Sequence, residues 1–237
     1  GDQLLLQLVP RGEIAALSYL ATDPDLSPHW REAAGLPVTG GRLEELIALR
    51  PTLVLVGKYS TPGASAALRK AGIEVVEIGF PESFDGLRQE IRAAAKALDA
   101  DAAGERWIAA MDARLKTLKA QAGATKEERP SALFVFQDGT SPDGFATELL
   151  DAAGFRLPPR ARDGASPLER VLLARPQFLL RVGYREGAPT FTGLPLPDER
   201  LTGMQMATVP FRYLACPDPA SLDLVEQLIA LRKSVLE

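Results

Sequence analysis

The 237-residue sequence is poor in the side chains from which many functional sites are built. It has one cysteine and one histidine, which excludes an internal disulfide and a metal site with several cysteine ligands. Its net charge is −4 and its lysines and arginines are scattered, so no basic surface is available to capture nucleic acid. No apolar run approaches the roughly 20 residues of a membrane-spanning helix.

The lone cysteine and the lone histidine each lead to an expectation. Cys216 is expected to be a small, buried, apolar side chain. His29 follows Pro28 in a polar loop, where it either ligates iron or cobalt from the side or simply lies exposed.

A repeated segment is the most informative pattern present. Residues 40–57 read GGRLEELIALRPTLVLVG, and residues 165–183 read ASPLERVLLARPQFLLRVG. Each has a glutamate at the start of a short amphipathic run (Glu44, Glu169), a proline seven positions later and an apolar stretch that ends in glycine. This order predicts a helix, a turn and a strand, used once in each half of the chain.

The remaining pattern predicts an α/β fold with two similarly built lobes. Short apolar strands alternate with helices in both halves, which favours parallel sheets covered by helices. Between the halves, residues 83–121 contain no proline and read as nearly continuous helix, with a break near residues 99–101. We therefore predict an N-terminal α/β lobe over residues 1–98, a connecting backbone helix over 99–122 and a C-terminal α/β lobe over 123–237.

The order of these motifs resembles the substrate-binding proteins of ABC importers for metal chelates, namely iron siderophores, haem and vitamin B12. The resemblance rests on LEELIALRPTLVLVG and IEVVEIG in the first half, and on ALFVFQDG, ELLDAAGF and LERVLLARPQFLL in the second. It implies two Rossmann-like lobes joined by a long backbone helix, with a ligand cleft between the lobes. It also implies a periplasmic or extracytoplasmic monomer, which delivers its ligand to a dimeric permease in the membrane.

The resemblance gives the paired glutamates a role as permease-docking residues. In the family, one glutamate on each lobe faces arginines of the permease, and Glu44 and Glu169 occupy the matching places. Both also stand where a glutamate caps a helix: Ser166 and Glu169 form a predicted capping box, and Glu44 lies three residues after Gly41. The two roles are compatible, because an exposed carboxylate can cap a helix and still pair with a partner's arginine.

Ligand-binding residues are expected in the loops that follow the strands, since these loops line the crevice of such folds. Flat rings in these loops suit a large conjugated ligand, and cations suit its carboxylates. The candidates are Tyr19, Trp30, Lys58, Tyr59, Phe80, Gln137, Tyr184, Arg185 and Arg212. Packing within the core or between the lobes is the alternative for each ring. Because the rings outnumber the cations, a corrinoid such as cobalamin is preferred over an iron siderophore or haem.

Two other functional classes stay open. Paired α/β lobes also occur in enzymes such as glycosyltransferases, although the sequence has no G-x-G-x-x-G, P-loop or G-x-S-x-G motif. A protein-binding adaptor that uses only its acidic helix starts is the third class. The chain is not expected to be an enzyme or to hold a cofactor of its own, although a transported ligand would carry cobalt or iron.

The chain begins abruptly at Gly1, inside what reads as a helix. We therefore expect a strand and any leader segment to precede it.

Overall fold

A computed structural model of the chain describes residues 1–57, 63–123, 129–136, 143–158, 167–184 and 203–236. The chain divides into two compact units. The first comprises Gly1–Ala110 and Cys216–Pro219, and the second comprises Met111–Ala215 and Ala220–Glu237. The lobe boundaries predicted at residues 98 and 122 stay predictions.

The first unit alternates short helices with short parallel strands. Its helices are α1 (Asp2–Leu8), α2 (Trp30–Ala33), α3 (Leu43–Ala48), α4 (Ala64–Lys70) and α5 (Phe84–Ala97). Its strands are β1 (Leu17–Ser18), β2 (Val38–Thr39), β3 (Leu53–Gly57) and β4 (Glu74–Ile78). Strand β1 pairs with β2, and β3 pairs with β4, both in parallel.

The long helical stretch has the break that the sequence predicts. Helix α5 begins at the cap Ser83, whose hydroxyl accepts a hydrogen bond from the backbone N–H of Gly86 at 2.9 Å. Helix α5 ends at Ala97, Asp99 takes a positive φ of 51°, and helix α6 (Asp101–Ala122) follows. The boundary between the two units falls within α6, between Ala110 and Met111.

The second unit is built on one three-stranded parallel sheet in the order β5 (Ala132–Val135), β6 (Phe178–Gly183), β7 (Gln205–Pro210). Its other helices are α7 (Phe145–Ala152), α8 (Pro167–Ala174), α9 (Arg212–Ala215) and α10 (Leu222–Leu236). The central strand β6 is almost continuously apolar and buried, as expected for a parallel strand covered on both faces.

Each repeat helix packs its apolar side on the sheet of its own unit. Leu43 and Leu46 of α3 contact a buried cluster that includes Val56. On α8, Val171 is buried with Leu179 of β6. In both repeats the helix–turn–strand order predicted from the sequence is confirmed.

The first strand is shorter than the sequence suggests. An apolar run predicts a strand over residues 14–18, but β1 contains only Leu17 and Ser18. Its partner β2 is equally short, and Pro37 precedes it. The carbonyl of Pro37 accepts a hydrogen bond from the N–H of Leu17 at 2.9 Å, but proline has no N–H with which to extend the ladder. The density of Pro, Gly and Asp in residues 21–41 predicts a loop over this stretch. This prediction is wrong for residues 38–39, which form β2.

Among the described residues, none of the helices combines the length and the apolarity that crossing a bilayer requires.

Candidate functional site

Three partly exposed aromatic rings lie together at the carboxyl edge of the sheet in the second unit. Each is the first residue after its strand: Phe136 follows β5, Tyr184 follows β6 and Phe211 follows β7. The ring centroids of Tyr184 and Phe211 are 4.2 Å apart with an interplanar angle of 37°, and Phe136 meets Phe211 edge-on at 6.2 Å. We call these three residues the ring cluster. Aromatic groups at such distances form favourable contacts, and exposed ring faces can extend them to a flat ligand.

The sheet register places the rings side by side. Gly183 of β6 lies opposite Pro210 of β7, so the next residues, Tyr184 and Phe211, become neighbours. The N–H of Phe211 donates a 2.9 Å hydrogen bond to the carbonyl of Gly183. The ring cluster is therefore held by the backbone of the sheet, at the edge where parallel α/β proteins bind their ligands.

One of the predicted cations adjoins the ring cluster. Arg212 directly follows Phe211 as the first residue of α9, and its guanidinium lies 5.1 Å from the ring centroid of the buried Tyr213. Arg181, on β6, lies half-buried close to the same edge of the sheet. Both guanidinium groups suit an anionic substituent of a ligand.

The predicted rings of the first unit are more scattered. Tyr19 begins a 3-10 turn directly after β1 and is 59% exposed. Trp30 is the first residue of α2, and the guanidinium of Arg31 lies 4.4 Å from its ring centroid. Phe80 follows β4 by two residues and is 39% exposed.

Phe80 instead lines a small pocket of the first unit, together with Glu90, Trp107 and Cys216. The pocket has a volume of about 60 Å³, too small for a macrocyclic ligand. The thiol-bearing residue Cys216 is exposed, so the prediction that it is a buried apolar side chain is wrong. It lies in the short segment that follows α9, and partial burial against this pocket raises the pKa of its thiol.

The remaining predicted ligand-binding residues, Lys58, Tyr59, Gln137 and Arg185, lie outside the described residues.

The predicted docking glutamate of the first unit, Glu44, is exposed, and the neighbouring Glu45 makes the contacts to the loop before α3. Glu45 accepts hydrogen bonds from the hydroxyl of Thr39 at 2.8 Å and the N–H of Gly40 at 2.9 Å, and it pairs with Arg42. These contacts, led by the hydrogen bond from Thr39, lower the pKa of Glu45. Within the described part of the chain, Glu44 has no hydrogen bond or ion pair. Among these residues Glu44 makes no capping hydrogen bond to α3, but it lies in the first turn, where the helix dipole favours a carboxylate as predicted.

The glutamate predicted to dock from the second unit is also exposed. Glu169 is the third residue of α8, after Pro167 and Leu168, which places its carboxylate in the first turn of the helix. Its predicted capping partner Ser166 lies outside the described residues, so the capping box stays a prediction.

The only histidine is buried in the first unit, so the prediction that it lies exposed is wrong. One ring nitrogen of His29, Nε2, lies 2.9 Å from a carboxylate oxygen of Asp218, and Nδ1 lies 3.0 Å from one of Glu32. Burial lowers the pKa of His29, but the hydrogen bonds and charges of Asp218 and Glu32 outweigh this effect and raise it to about 9. His29 is therefore a buried cation between two carboxylates, and neither ring nitrogen is available to ligate a metal.

Sequence reasoning missed Phe136 and Glu45. Phe136 is the last apolar residue of its run, so the pattern assigns it to the strand interior. A simple positional signal identifies it, because it occupies the same place after β5 that Tyr184 occupies after β6. Glu45 is the second of two adjacent glutamates, and it lies three positions after Arg42, the residue at the N-cap of α3.

The fold is shared with several proteins of known structure. The periplasmic haem-binding protein RhuT of Roseiflexus sp. RS-1 is 23% identical, with 97% of this chain and 94% of that chain covered and a TM-score of 0.71. The periplasmic vitamin B12-binding protein BtuF of Vibrio cholerae is 18% identical, with 100% and 94% covered and a TM-score of 0.71. The periplasmic haem-binding protein HutB of Vibrio cholerae is 18% identical, with 97% and 94% covered and a TM-score of 0.74. At these identities the similarity shows the fold.

Comparison with curated proteins gives no match. A family model described as periplasmic binding protein matches residues 19–170, which is more than half of the chain. The chain therefore belongs to the periplasmic binding protein family.

Proposed function

We propose that the chain is the extracytoplasmic substrate-binding component of an ABC importer. It captures a metal chelate as a monomer and delivers it to a permease in the membrane. Membership of the periplasmic binding protein family supports a receptor for a small solute rather than an enzyme. Structures with the same fold are named for binding haem and vitamin B12, which supports a chelate as the ligand class.

The ring cluster is the observation that carries the ligand class. Phe136, Tyr184 and Phe211 together offer partly exposed ring surface at the carboxyl edge of a parallel sheet. A conjugated macrocycle gains both apolar burial and ring contacts on such a surface. The metal arrives with the chelate, so the protein needs no resident cofactor.

Within this class we prefer a corrinoid such as cobalamin to haem or an iron siderophore. At the described edge of the second unit, the three rings of the cluster outnumber the nearby cations Arg181 and Arg212. A strongly anionic chelate requires several neighbouring arginines in its binding site, because each negative charge that loses its hydration on binding needs a positively charged partner.

A fluorescence titration tests the proposal. The tryptophans Trp30 and Trp107 both lie in the first unit and report ligand binding by quenching. We expect one of cobalamin, haemin or a ferric siderophore to saturate the signal at sub-micromolar concentration, and the ligand to be recovered unchanged. Saturation by haemin or a siderophore alone contradicts the corrinoid preference, failure of all three contradicts the proposed ligand class, and conversion of the ligand indicates an enzyme.

For delivery, we propose that Glu44 and Glu169 pair with basic residues of the permease. Both carboxylates are exposed on short helices at matching positions of the two repeats. Exposed charges of this kind accelerate association and make it sensitive to salt.

A further inference from the structure

Each repeat helix exposes a large aliphatic side chain one turn after its docking glutamate. On α8, Leu173 follows Glu169 by four residues and is 64% exposed. On α3, Ile47 follows Glu44 by three residues and is 40% exposed. Residues three or four apart share a face of a helix, so a carboxylate and an aliphatic side chain lie side by side on each unit. We call Glu169 with Leu173 the α8 patch, and Glu44 with Ile47 the α3 patch.

These aliphatic side chains are not part of the core of their own unit. The core side of α8 is supplied by Val171, which is buried against Val135 and Leu179. The core side of α3 is supplied by Leu43 and Leu46. Leu173 is the most exposed large hydrophobic residue in the described part of the chain.

A single exposed leucine or isoleucine on a protein surface is ordinary. What distinguishes these two is that each lies within one turn of an exposed carboxylate on a matching helix. Their positions in the repeat are successive rather than identical, because Ile47 aligns with Leu172 and Leu173 aligns with Ala48. The α3 patch should bind a basic partner. The nearby Arg42 is already paired with Glu45, whereas Glu44 has no partner within the described residues. The complementary surface is therefore basic and lined by apolar side chains, and it is present twice.

We propose that the α8 and α3 patches are the two contact points for the permease, in which Leu173 and Ile47 are apolar anchors beside the docking glutamates. This inference rests on the proposed function and adds the residues that give the complex its lifetime. Apolar anchors that become fully desolvated carry much of the binding energy of an interface, whereas peripheral charges mainly set the association rate.

The two anchors differ in expected effect. Leu173 exposes more of its side chain than Ile47 does, so it has more apolar surface to lose to the partner. We expect Leu173→Ser to weaken binding to the permease about tenfold, mainly through faster dissociation, and Ile47→Ser about threefold.

The experiment measures binding of the full chain to its cognate ABC permease, reconstituted in nanodiscs, by surface plasmon resonance at several salt concentrations. Leu157→Ser is the matched control, since Leu157 is another leucine of the second unit and is 48% exposed. We expect Leu173→Ser to accelerate dissociation without changing the salt dependence, Glu169→Gln to reduce the salt dependence, and Leu157→Ser to do neither. Chelate affinity and the thermal midpoint should stay at the wild-type values in all three variants.

The outcomes separate this inference from the proposed function. If the wild-type chain binds the permease and Glu169→Gln weakens it, but Leu173→Ser dissociates no faster than Leu157→Ser, the apolar anchor is refuted and the docking glutamates stand. If the wild-type chain does not bind that permease at all, both proposals fail.

Discussion

The two repeat helices, α3 and α8, have the same backbone pattern but differ in the side chain that follows the proposed docking glutamate. An arginine with a positive φ follows each helix: Arg50, with a φ of 48°, lies two residues after α3, and Arg175, with a φ of 38°, lies directly after α8. A proline comes next in both repeats. The repeat therefore persists down to the backbone conformation of a single residue. The side chains after the docking glutamates differ, because Glu45 on α3 corresponds to Arg170 on α8. On α3, Glu45 pairs with Arg42 and binds the preceding loop, and Glu44 remains exposed.

The carboxyl edges of the sheets differ more. In the second unit three successive strands each deliver a ring, and the rings form one cluster. In the first unit the sheets have two strands each, and Tyr19 and Phe80 follow strands of different sheets. A continuous sheet aligns its strand ends, whereas separate sheets do not. We therefore expect the second unit to supply most of the ring contacts to a chelate.

The largest expected effect comes from removing the proposed docking glutamates of both repeats, Glu44 and Glu169. The double variant Glu44→Ala, Glu169→Ala should abolish uptake of the chelate, because both charged contacts with the permease are lost. Its affinity for the chelate should equal that of the wild type, since both residues are exposed on helix surfaces. Transport into proteoliposomes and a fluorescence titration measure the two quantities. Uptake at the wild-type rate would refute the docking role, and Glu45→Ala serves as the acidic control on α3.

The next effect concerns the charges that hold the first unit together. In His29→Gln, the buried carboxylate of Asp218 loses its cationic partner, and we expect the free energy of unfolding at pH 7 to fall by about 3 kcal/mol. The pKa of His29 is raised to about 9 in the folded chain from a value of 6.5. The stabilisation is therefore complete below pH 6.5 and is lost as the pH rises through 9.

Urea unfolding monitored by tryptophan fluorescence measures this effect, because Trp30 and Trp107 both lie in the first unit. The difference between the wild type and His29→Gln should shrink between pH 7 and pH 10. Glu105→Gln removes an exposed ion pair with Arg92 and should leave the midpoint unchanged. A difference that stays constant across this range would show that Asp218 and Glu32 do not hold a proton on His29.

The third effect tests the unequal contribution of the two sheet edges. Phe211 contacts both Phe136 and Tyr184, so Phe211→Ala disperses the ring cluster. We expect at least a tenfold loss of chelate affinity, because both apolar burial and ring contacts are removed. Tyr19→Ala removes an exposed ring of the first unit and should change the affinity less than threefold. Isothermal titration calorimetry with the chelate that saturates the wild type compares the two. Equal losses in both variants would contradict the comparison.

The elements of the repeats could be predicted from the sequence because their signals are local. A helix start, a helix-ending arginine before proline and an apolar strand fall within 18 consecutive residues, and the structure confirms them in both units. The break between α5 and α6 could also be predicted from the sequence, since it depends on residues near Asp99. Periodicity and turn chemistry act over such short distances.

The site was only partly predictable because its contacts are non-local. The burial of His29 depends on Asp218, which lies 189 residues further along the chain. The ring cluster depends on the register of three strands, which no single segment encodes. Tyr184 and Arg212 were found by the rule that ligands bind after strand ends. Phe136 could not be predicted as a site residue, because the apolar pattern does not show whether the last apolar residue belongs to the strand or to the loop after it.

The smallest expected effect concerns Arg50 and Arg175, the two arginines with positive φ that follow the repeat helices. A non-glycine residue with positive φ costs about 1 kcal/mol, and glycine adopts this conformation without that cost. Glycine also loses more freedom on folding, so Arg50→Gly and Arg175→Gly should each stabilise the chain by about 0.5 kcal/mol net. Asp99→Gly is the matched control: Asp99 also has a positive φ of 51°, but aspartate tolerates this conformation better than arginine does. Its gain should be smaller, and Ala66→Gly inside α4 should be destabilising. If either arginine variant proves less stable than the wild type in urea unfolding, the arginine side chain stabilises the helix end by more than the backbone strain costs. If only one of the two variants is less stable, the repeats differ in the role of this side chain although their backbone conformation is the same.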